Sequence, residues 1–243
     1  MQEKIDLRGL EAARQQESFL QGVKDCVPTL LGYLSIGFAA GVVGTTSGLS
    51  VAEIGLMSIL IYAGSAQFIF AGMVASDGSA AAIISTIFFV NLRHLLLSAA
   101  LSPYFRQLAP LKNALIGSLL TDETFGVAIN RATQTGSIGE KWMHGLNAAA
   151  YLNWIAATIA GAFLGQWIPD PQRFGLDFAL PAMFIGLLVL LMASRARIGV
   201  DIVVAVSAVV IVIGVTLVST ASVGVIAAAV LAPVIGMAVS KWK

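Results

Sequence analysis

The chain has 243 residues, of which 58% are hydrophobic and 11% are charged, whereas soluble domains carry about 25% charged residues. The net charge of +1 and the scattered cations exclude a nucleic-acid surface, which needs a clustered basic patch. The lone cysteine, Cys26, excludes an intrachain disulfide and a metal centre built from several thiolates. This composition is typical of a membrane protein.

Residues 1–25 mix positive and negative side chains ahead of the first apolar stretch, and they lack the leader and cleavage site of a signal peptide. Two interpretations stay open for this cytoplasmic or interfacial segment. Leu7, Leu10, Phe19 and Leu20 are spaced to form one apolar face, which favours a short interfacial helix. The alternative is a solvated tail. We expect a single transmembrane transporter domain to follow at 26–243.

Apolar stretches that are long enough to cross a hydrocarbon core of about 30 Å follow one another along the chain. They predict an all-α polytopic membrane helix bundle of about seven or eight transmembrane segments. The fourth stretch is the weakest, because Asp122 and Glu123 interrupt it. The predicted segments are 27–44, 51–75, 79–101, 113–130, 145–168, 178–193, 201–218 and 221–239.

The positions of Lys and Arg in short loops predict a cytoplasmic N-terminus. If all eight segments cross, however, Arg106 and Lys112 lie outside, against the same rule. A broken or re-entrant helix, which leaves the membrane on the side where it entered, would remove the conflict and stays an alternative to a complete crossing.

Two apolar segments show a weak internal similarity. Pro28 and Pro181 each begin such a segment, and each segment is followed by a Gly-containing turn and an acid, Glu53 or Asp201. With eight crossings the two segments run in opposite directions, as inverted repeats of transporters do. Chance recurrence explains the pattern equally well.

Residues 61–68 place small residues and an amide inside a hydrophobic segment. Small residues permit close helix packing, and they also permit local unwinding that frees backbone groups for a ligand. Tyr62, Ser65 and Gln67 are therefore candidate site residues, with Gln67 favoured because packing alone does not need its amide. Plain helix packing is the alternative.

Asn91, Arg93 and His94 lie near the middle of segment 79–101. A central Arg costs about 2.5–3.5 kcal/mol on insertion scales, so Arg93 needs partners. We expect it to pair with Asp122 or Glu123, and an ion pair that merely joins two segments is the alternative. On an unbroken helix Asn91 and His94 share a face and Arg93 points elsewhere, so one common site requires a distorted helix.

Thr121, Asp122 and Glu123 put two carboxylates on adjacent residues. Two such groups disfavour each other's charged form, which suits a proton carrier. His94 is a second candidate for proton coupling, because an imidazole titrates near neutral pH. The alternative is that Asp122 neutralises Arg93 while Glu123 faces water.

Two glycine motifs, Gly37 with Gly41 and Gly161 with Gly165, match G-x-x-x-G and predict close helix contacts, within the chain by default. Three of the four tryptophans are interpreted as interfacial anchors. The chain has no H-E-x-x-H pair, G-x-S-x-G elbow or Walker loop, so transport rather than catalysis is the main interpretation, with no metal and no cofactor.

Five segments resemble, in order, the AzlC/YgaZ family of branched-chain amino acid exporters, and the resemblance runs from Gly22 to the C-terminus. Asn91 departs from it, because several relatives carry an acid there. The segments are Gly22-Val23-Lys24-Asp25-Cys26-Val27-Pro28, Tyr62-Ala63-Gly64-Ser65-Ala66-Gln67-Phe68, Leu92-Arg93-His94, Leu120-Thr121-Asp122-Glu123-Thr124-Phe125 and Leu180-Pro181-Ala182-Met183-Phe184.

The resemblance implies a multi-pass permease of the bacterial inner membrane that exports valine, leucine or isoleucine, sometimes methionine, using the proton-motive force. It also implies an obligate small AzlD/YgaH-like membrane subunit. A different class of function stays open: a non-transporting structural or regulatory membrane subunit whose buried charges bind its partner.

Overall fold

The computed structural model describes residues 18–168, 171–175, 178, scattered positions between 181 and 192, 198–219 and 221–241. That part of the chain is helical and contains no strand, so the all-α prediction is confirmed. The helices are α1 Phe19–Asp25, α2 Val27–Thr46, α3 Val51–Leu60, α4 Gly64–Ala75, α5 Ala80–Leu101, α6 Pro110–Ser118, α7 Asp122–Thr135, α8 Glu140–Gly165, α9 Ile198–Thr216 and α10 Ala221–Lys241, with 3-10 turns at Ser102–Phe105 and Pro171–Phe174.

Four of the described helical stretches are long and apolar enough to cross a membrane: Val27–Thr46, Ala80–Phe105, Glu140–Gly165 and Ile198–Thr216. They correspond to four of the predicted segments. The predicted segment at 145–168 begins earlier, at Glu140, because polar side chains in its first turns lower hydropathy without preventing a helix. The predicted segment at 178–193 lies largely outside the described residues.

The chain divides into two compact units, Met1–Phe184 and Ile185–Lys243. In the second unit α9 and α10 pack on each other, with Gly224 against the backbone of Val212 and Gly236 against the side chain of Val204. The predicted division into residues 1–25 and 26–243 stays a prediction.

In the first unit α2 and α8 lie side by side and run parallel. Their predicted glycine motifs face each other: a Cβ on Gly161 would overlap the carbonyl oxygen of Phe38, and one on Gly41 would overlap the α8 backbone. The close contact predicted from both motifs is confirmed, and it lies within the chain. This pair provides a reference direction, from the Glu140 end to the Gly165 end of α8.

Helix α1 packs on the first turns of α8, where a Cβ on Gly22 would overlap the Trp142 carbonyl oxygen. Trp142 is fully buried, and its Nε1 donates a hydrogen bond of 2.8 Å to Asp25 Oδ2. The interpretation of Trp142 as an interfacial anchor is therefore wrong: its indole packs between helices. Trp154 is also buried, whereas Trp167 is exposed and Trp242 lies outside the described residues.

Helix α5 runs opposite to α8. Ser98 lies beside Gly117 of α6, and the short connection from α5 leads to the start of α6, where Lys112 pairs with Glu140 of α8. The C-terminal end of α5 is therefore at the Glu140 end, and its N-terminal end points towards the Gly165 end.

The predicted crossing at 51–75 is wrong, because the helix breaks at residues 61–63 and turns back. Helix α3 packs along α8, with Gly55 beside Ile159, and approaches from the Gly165 end. Helix α4 then returns antiparallel to α5, since only residues 76–79 join them and Ser65 contacts Arg93. Total apolar length, which is all that hydropathy measures, does not reveal this turn. We call α3 and α4 hairpin 1.

The predicted crossing at 113–130 is also wrong, and the re-entrant alternative describes it. Helix α6 begins at the Glu140 end, where Lys112 Nζ lies 2.8 Å from Glu140. The chain breaks at residues 119–121, and α7 leads back to the same end, where Arg131 lies 3.2 Å from Asp25 and stacks over the Trp142 ring. We call α6 and α7 hairpin 2.

The two hairpins give the first unit an inverted repeat. A long helix followed by a re-entrant hairpin occurs twice, as α2 with hairpin 1 and as α5 with hairpin 2. The second copy runs in the opposite direction, as in many transporters. This repeat differs from the predicted one between Pro28 and Pro181, whose second half lies largely outside the described residues.

Candidate functional site

The tips of the two hairpins meet beside α2, α5 and the middle of α8, where they border a small cavity lined by polar and aromatic side chains. Its volume is about 20 Å³, and a single water needs about 10–15 Å³ of such space. The cavity therefore holds about one or two waters in this conformation. Its walls are Tyr33, Tyr62, Ala63, Gly64, Arg93, His94, Thr121, Asp122, Glu123 and Trp154.

The tip of hairpin 1 has an unusual backbone. Tyr62 has a φ of +41°, in the left-handed region that costs a non-glycine residue about 1–3 kcal/mol. Ala63, which precedes α4, is extended and offers no side chain to cap the helix. Gly64 follows because a Cβ there would lie 2.9 Å from the Trp154 ring. The first amide groups of α4 consequently begin at the cavity wall without a side-chain cap.

The tip of hairpin 2 is held by side-chain hydrogen bonds. Thr121 begins α7 through a capping box with Thr124. The Tyr33 hydroxyl, from α2, lies 2.5 Å from Thr121 Oγ1 and donates a 2.7 Å hydrogen bond to Glu123 Oε2. Asp122 and Glu123 occupy the first turn of α7, where the helix dipole favours negative charge.

Arg93 joins the two tips. Its NH1 lies 2.8 Å from Asp122 Oδ2 of hairpin 2, and its NH2 donates a 2.7 Å hydrogen bond to Ser65 Oγ of hairpin 1. The predicted pairing of Arg93 with one of the two acids is therefore confirmed, with Asp122 as the partner. About a quarter of each side chain in the ion pair is exposed, so the pair is reachable from the cavity.

Helix α5 is continuous through this region, so the distortion considered from the sequence is absent. Arg93 and His94 both line the cavity, but Asn91 does not. The Asn91 Oδ1 atom is buried with no hydrogen-bond partner among the described residues. The assignment of Asn91 to the site stays a prediction.

Gln67 lies behind the cavity wall, where it joins three helices. It accepts a hydrogen bond of 3.3 Å from Trp154 Nε1 and another of 3.4 Å from Ser58, and it donates one of 3.4 Å to the Met57 carbonyl oxygen. This network fixes α4 against α3 and α8. It also holds Trp154, whose ring forms part of the cavity wall. Gln67 thus packs between helices, which was the alternative to a role in the site. Direct contact of Gln67 with a ligand stays a prediction.

Four wall residues were absent from the sequence-based set: Tyr33, Ala63, Gly64 and Trp154. Tyr33 carried a usable signal, because a hydroxyl within an apolar segment needs a polar partner. Trp154 lies inside the predicted segment 145–168, where an apolar ring gives no sign of a site, and Ala63 and Gly64 carry no functional group that composition could reveal.

The cavity brings together groups of both signs. Arg93 and the uncapped start of α4 attract an anion, while Asp122 and Glu123 attract a cation. The rings of Trp154, Tyr33 and Tyr62 supply apolar surface. Within the described residues, no group of three or more His, Cys, Asp or Glu side chains is placed to hold a metal ion. This arrangement suits a small zwitterion.

Apolar helices of spanning length and discontinuous helices around a polar cavity define a multi-pass α-helical membrane protein. The family described as AzlC protein matches residues 28–168, which contain the whole cavity wall, and this chain belongs to that family.

Several curated proteins are similar to the chain. It is 33% identical over 177 residues to the inner membrane protein YgaZ of Escherichia coli, covering 70% of this chain and 72% of that protein. It is 31% identical to an uncharacterized membrane protein of Archaeoglobus fulgidus, covering 89% and 93%. It is 27% identical to the branched-chain amino acid transport protein AzlC of Bacillus subtilis, covering 65% and 62%. No solved structure gives a significant match.

Proposed function

We propose that this chain is the permease subunit of an exporter that moves valine, leucine, isoleucine and also methionine out of the cytoplasm, driven by the proton-motive force. The observation that carries the proposal is the cavity at the hairpin tips, where Arg93 faces two carboxylates within an apolar bundle. The name of the Bacillus subtilis relative supports the substrate class.

The substrate carboxylate is assigned to Arg93 and the start of α4. The guanidinium already bonds Ser65 in the first turn of α4, and the amide groups at a helix start point along the axis towards an anion. A carboxylate held there takes the place of Asp122 as the partner of the guanidinium. Amino-acid carboxylates bind in this way to broken helices of other transporters.

The substrate ammonium is assigned to the carboxylates of α7. Glu123 and Asp122 both line the cavity, and an ammonium group can replace the Tyr33 hydroxyl or the Arg93 guanidinium as their hydrogen-bond donor. The aliphatic side chain then needs only apolar surface. Because one methylene is worth about 1–3 kcal/mol in such a pocket, selectivity among these amino acids should be graded.

The cavity of about 20 Å³ is too small for any amino acid. Substrate binding therefore requires the two tips to separate, and we assign the described conformation to a closed state between loading and release. Each hairpin is joined to one end of the bundle, so movement of one tip opens the cavity to one side while the other keeps it closed.

We place the protein in the bacterial inner membrane with the Glu140 end in the cytoplasm. Four cations of the first unit lie at that end, within or next to the helices there, whereas residues 27–92 contain no Lys or Arg. The positive-inside rule then favours a cytoplasmic N-terminus. The re-entrant course of hairpin 2 removes the conflict over Arg106 and Lys112, because it puts them at the same end as the other two cations, Arg131 and Lys141.

We also propose that transport needs a small AzlD/YgaH-like membrane subunit, on the strength of the family resemblance. A neighbouring reading frame for a short apolar protein, and its purification together with this chain, would support this part of the proposal. Purified chain that transports at full rate alone would contradict it.

The test is valine and leucine efflux from loaded vesicles, with and without the small subunit. We expect Arg93→Gln and Asp122→Asn to slow efflux about 10- to 100-fold, because hydrogen bonds to charged groups are worth about 1.5–3 kcal/mol each. Lys112→Gln is the matched control, since it removes a cation from an ion pair outside the cavity. Normal efflux by both cavity variants at equal assembly would favour the structural or regulatory subunit instead.

A further inference from the structure

The two adjacent carboxylates of the cavity have different partners. Asp122 pairs with Arg93 at 2.8 Å, whereas Glu123 accepts a hydrogen bond from the neutral Tyr33 hydroxyl at 2.7 Å. Thus Asp122 has a cation as its partner and Glu123 has a neutral hydroxyl, although both residues lie in the same helix turn. An ionised Asp122 is balanced by a cation, and an ionised Glu123 adds a negative charge beside it.

The hydrogen bond described for Glu123 comes from a neutral hydroxyl and not from a cation. Tyr33 and Thr121 offer hydroxyls, and Trp154 of α8 offers only a ring surface at the cavity. The titratable and charged groups that face the cavity with it are Tyr33 from α2, Tyr62 from hairpin 1, Arg93 and His94 from α5, and its own neighbour Asp122.

His94 is the second candidate proton carrier in the cavity, but its position suits a proton less well. It directly follows Arg93 in α5, so an imidazolium there would place a second cation next to the guanidinium. A proton on Glu123, in contrast, removes one of two neighbouring negative charges.

We propose that Glu123 is the proton site of this transporter, while Asp122 stays ionised, balanced by Arg93 or by the substrate ammonium. This rests on the proposed function. When the cavity is open to the cytoplasm, the protonated Glu123 releases its proton to water, and its carboxylate then accepts the substrate ammonium. When the cavity is open to the outside, the amino acid leaves and a proton from external water binds the same carboxylate. The cavity then reopens to the cytoplasm with Glu123 in its neutral form.

This cycle balances one proton moved inwards against one zwitterion moved outwards. The proton and the ammonium compete for the same carboxylate, so neither passes with the other. Tyr33 acts as a positioning residue in this scheme, because its hydroxyl donates to the ionised carboxylate and stabilises that form.

The test uses the chain with its small subunit in vesicles, measuring labelled leucine together with proton movement from a pH-sensitive dye. Wild-type protein should move protons against leucine. Glu123→Gln should reduce leucine-linked proton movement at least about 10-fold, to background, with no pH dependence in any remaining leucine exchange.

Tyr33→Phe keeps the test decisive if Glu123→Gln does not bind leucine. It removes one donor from the ionised carboxylate, so protonation occurs more readily and the pH of half-maximal exchange should rise by about one to two units. Tyr151→Phe is the control: its hydroxyl donates to the Ile59 carbonyl oxygen, and its loss should leave the pH profile unchanged.

The outcomes separate the two proposals. Leucine movement by wild-type protein without protons, proton movement retained by Glu123→Gln, or an unshifted profile for Tyr33→Phe overturns the assignment of Glu123 and leaves transport standing. Absence of leucine movement in wild-type protein with its subunit overturns both.

Discussion

At the scale of single residues, Arg93 has two roles that experiments can separate: it stabilises the fold, and it is proposed to bind substrate. It bonds Ser65 of hairpin 1 and pairs with Asp122 of hairpin 2, so it holds both tips in the closed arrangement. Removing it leaves Asp122 without its cation in an apolar bundle, which is costly whatever the protein transports. Loss of activity in one variant therefore does not distinguish the two roles.

The double variant Arg93→Gln/Asp122→Asn makes that distinction. We expect Arg93→Gln alone to lower the free energy of unfolding by about 1–3 kcal/mol, because it leaves a partly buried carboxylate unpaired. The double variant should recover most of this loss, since both charges are gone, but it should not recover transport. Thermal unfolding in detergent and leucine efflux measure the two effects. If efflux recovers together with stability, Arg93 only holds the fold.

At the scale of the elements, the close contact of α2 with α8 supports the cavity. Tyr33 and Trp154, which form adjoining walls, lie on these two helices with their rings 5.2 Å apart in an edge-to-face pair. Their positions depend on the glycines nearby, which let the helix backbones touch.

Gly161→Ala tests this contact. Its Cβ would overlap the Phe38 carbonyl oxygen, a backbone atom that cannot rotate away. We expect a loss of about 1–3 kcal/mol in the free energy of unfolding, as for other overpacked sites. Gly32→Ala in α2 is the matched control, because nothing lies within 4 Å of its Cβ position. Equal melting temperatures for the two variants in detergent would contradict the close packing of α2 on α8.

The sequence predicted the helical class, the glycine contact and the pairing of Arg93 with one of two adjacent acids, Asp122 or Glu123, because each depends on local composition or on the cost of an isolated charge. It did not predict that segment 51–75 turns back. Hydropathy records apolar length, and the turn at Tyr62 and Ala63 contains no Pro or Gly that would reveal it; Gly64 already belongs to α4. The position of Gln67 was likewise set by tertiary packing, since the residues that fix it are on two other helices, α3 and α8.

At the scale of the whole molecule, the distribution of charge agrees with the course of the hairpins. In the described part of the first unit, Arg106, Lys112, Arg131 and Lys141 lie at the Glu140 end. The other end has Glu53 in the first turn of α3, Asp77 between α4 and α5, and one cation, Arg173. In the proposed transport cycle, the hairpin from each end would serve as the gate towards one compartment. An inverted pair of gates is what alternating access requires.

The meeting of two opposed hairpins is tested most directly by labelling single cysteines with an impermeant thiol reagent in intact cells, in a Cys26→Ala background. The introduced residues are Ser47→Cys, Ser76→Cys, Gln107→Cys and Ser137→Cys. We predict that the first two, which flank hairpin 1, react from one side of the membrane, and that the last two, which flank hairpin 2, react only from the other. Labelling of Ser47→Cys and Ser76→Cys from opposite sides, or of Gln107→Cys and Ser137→Cys from opposite sides, would show a complete crossing and contradict the account.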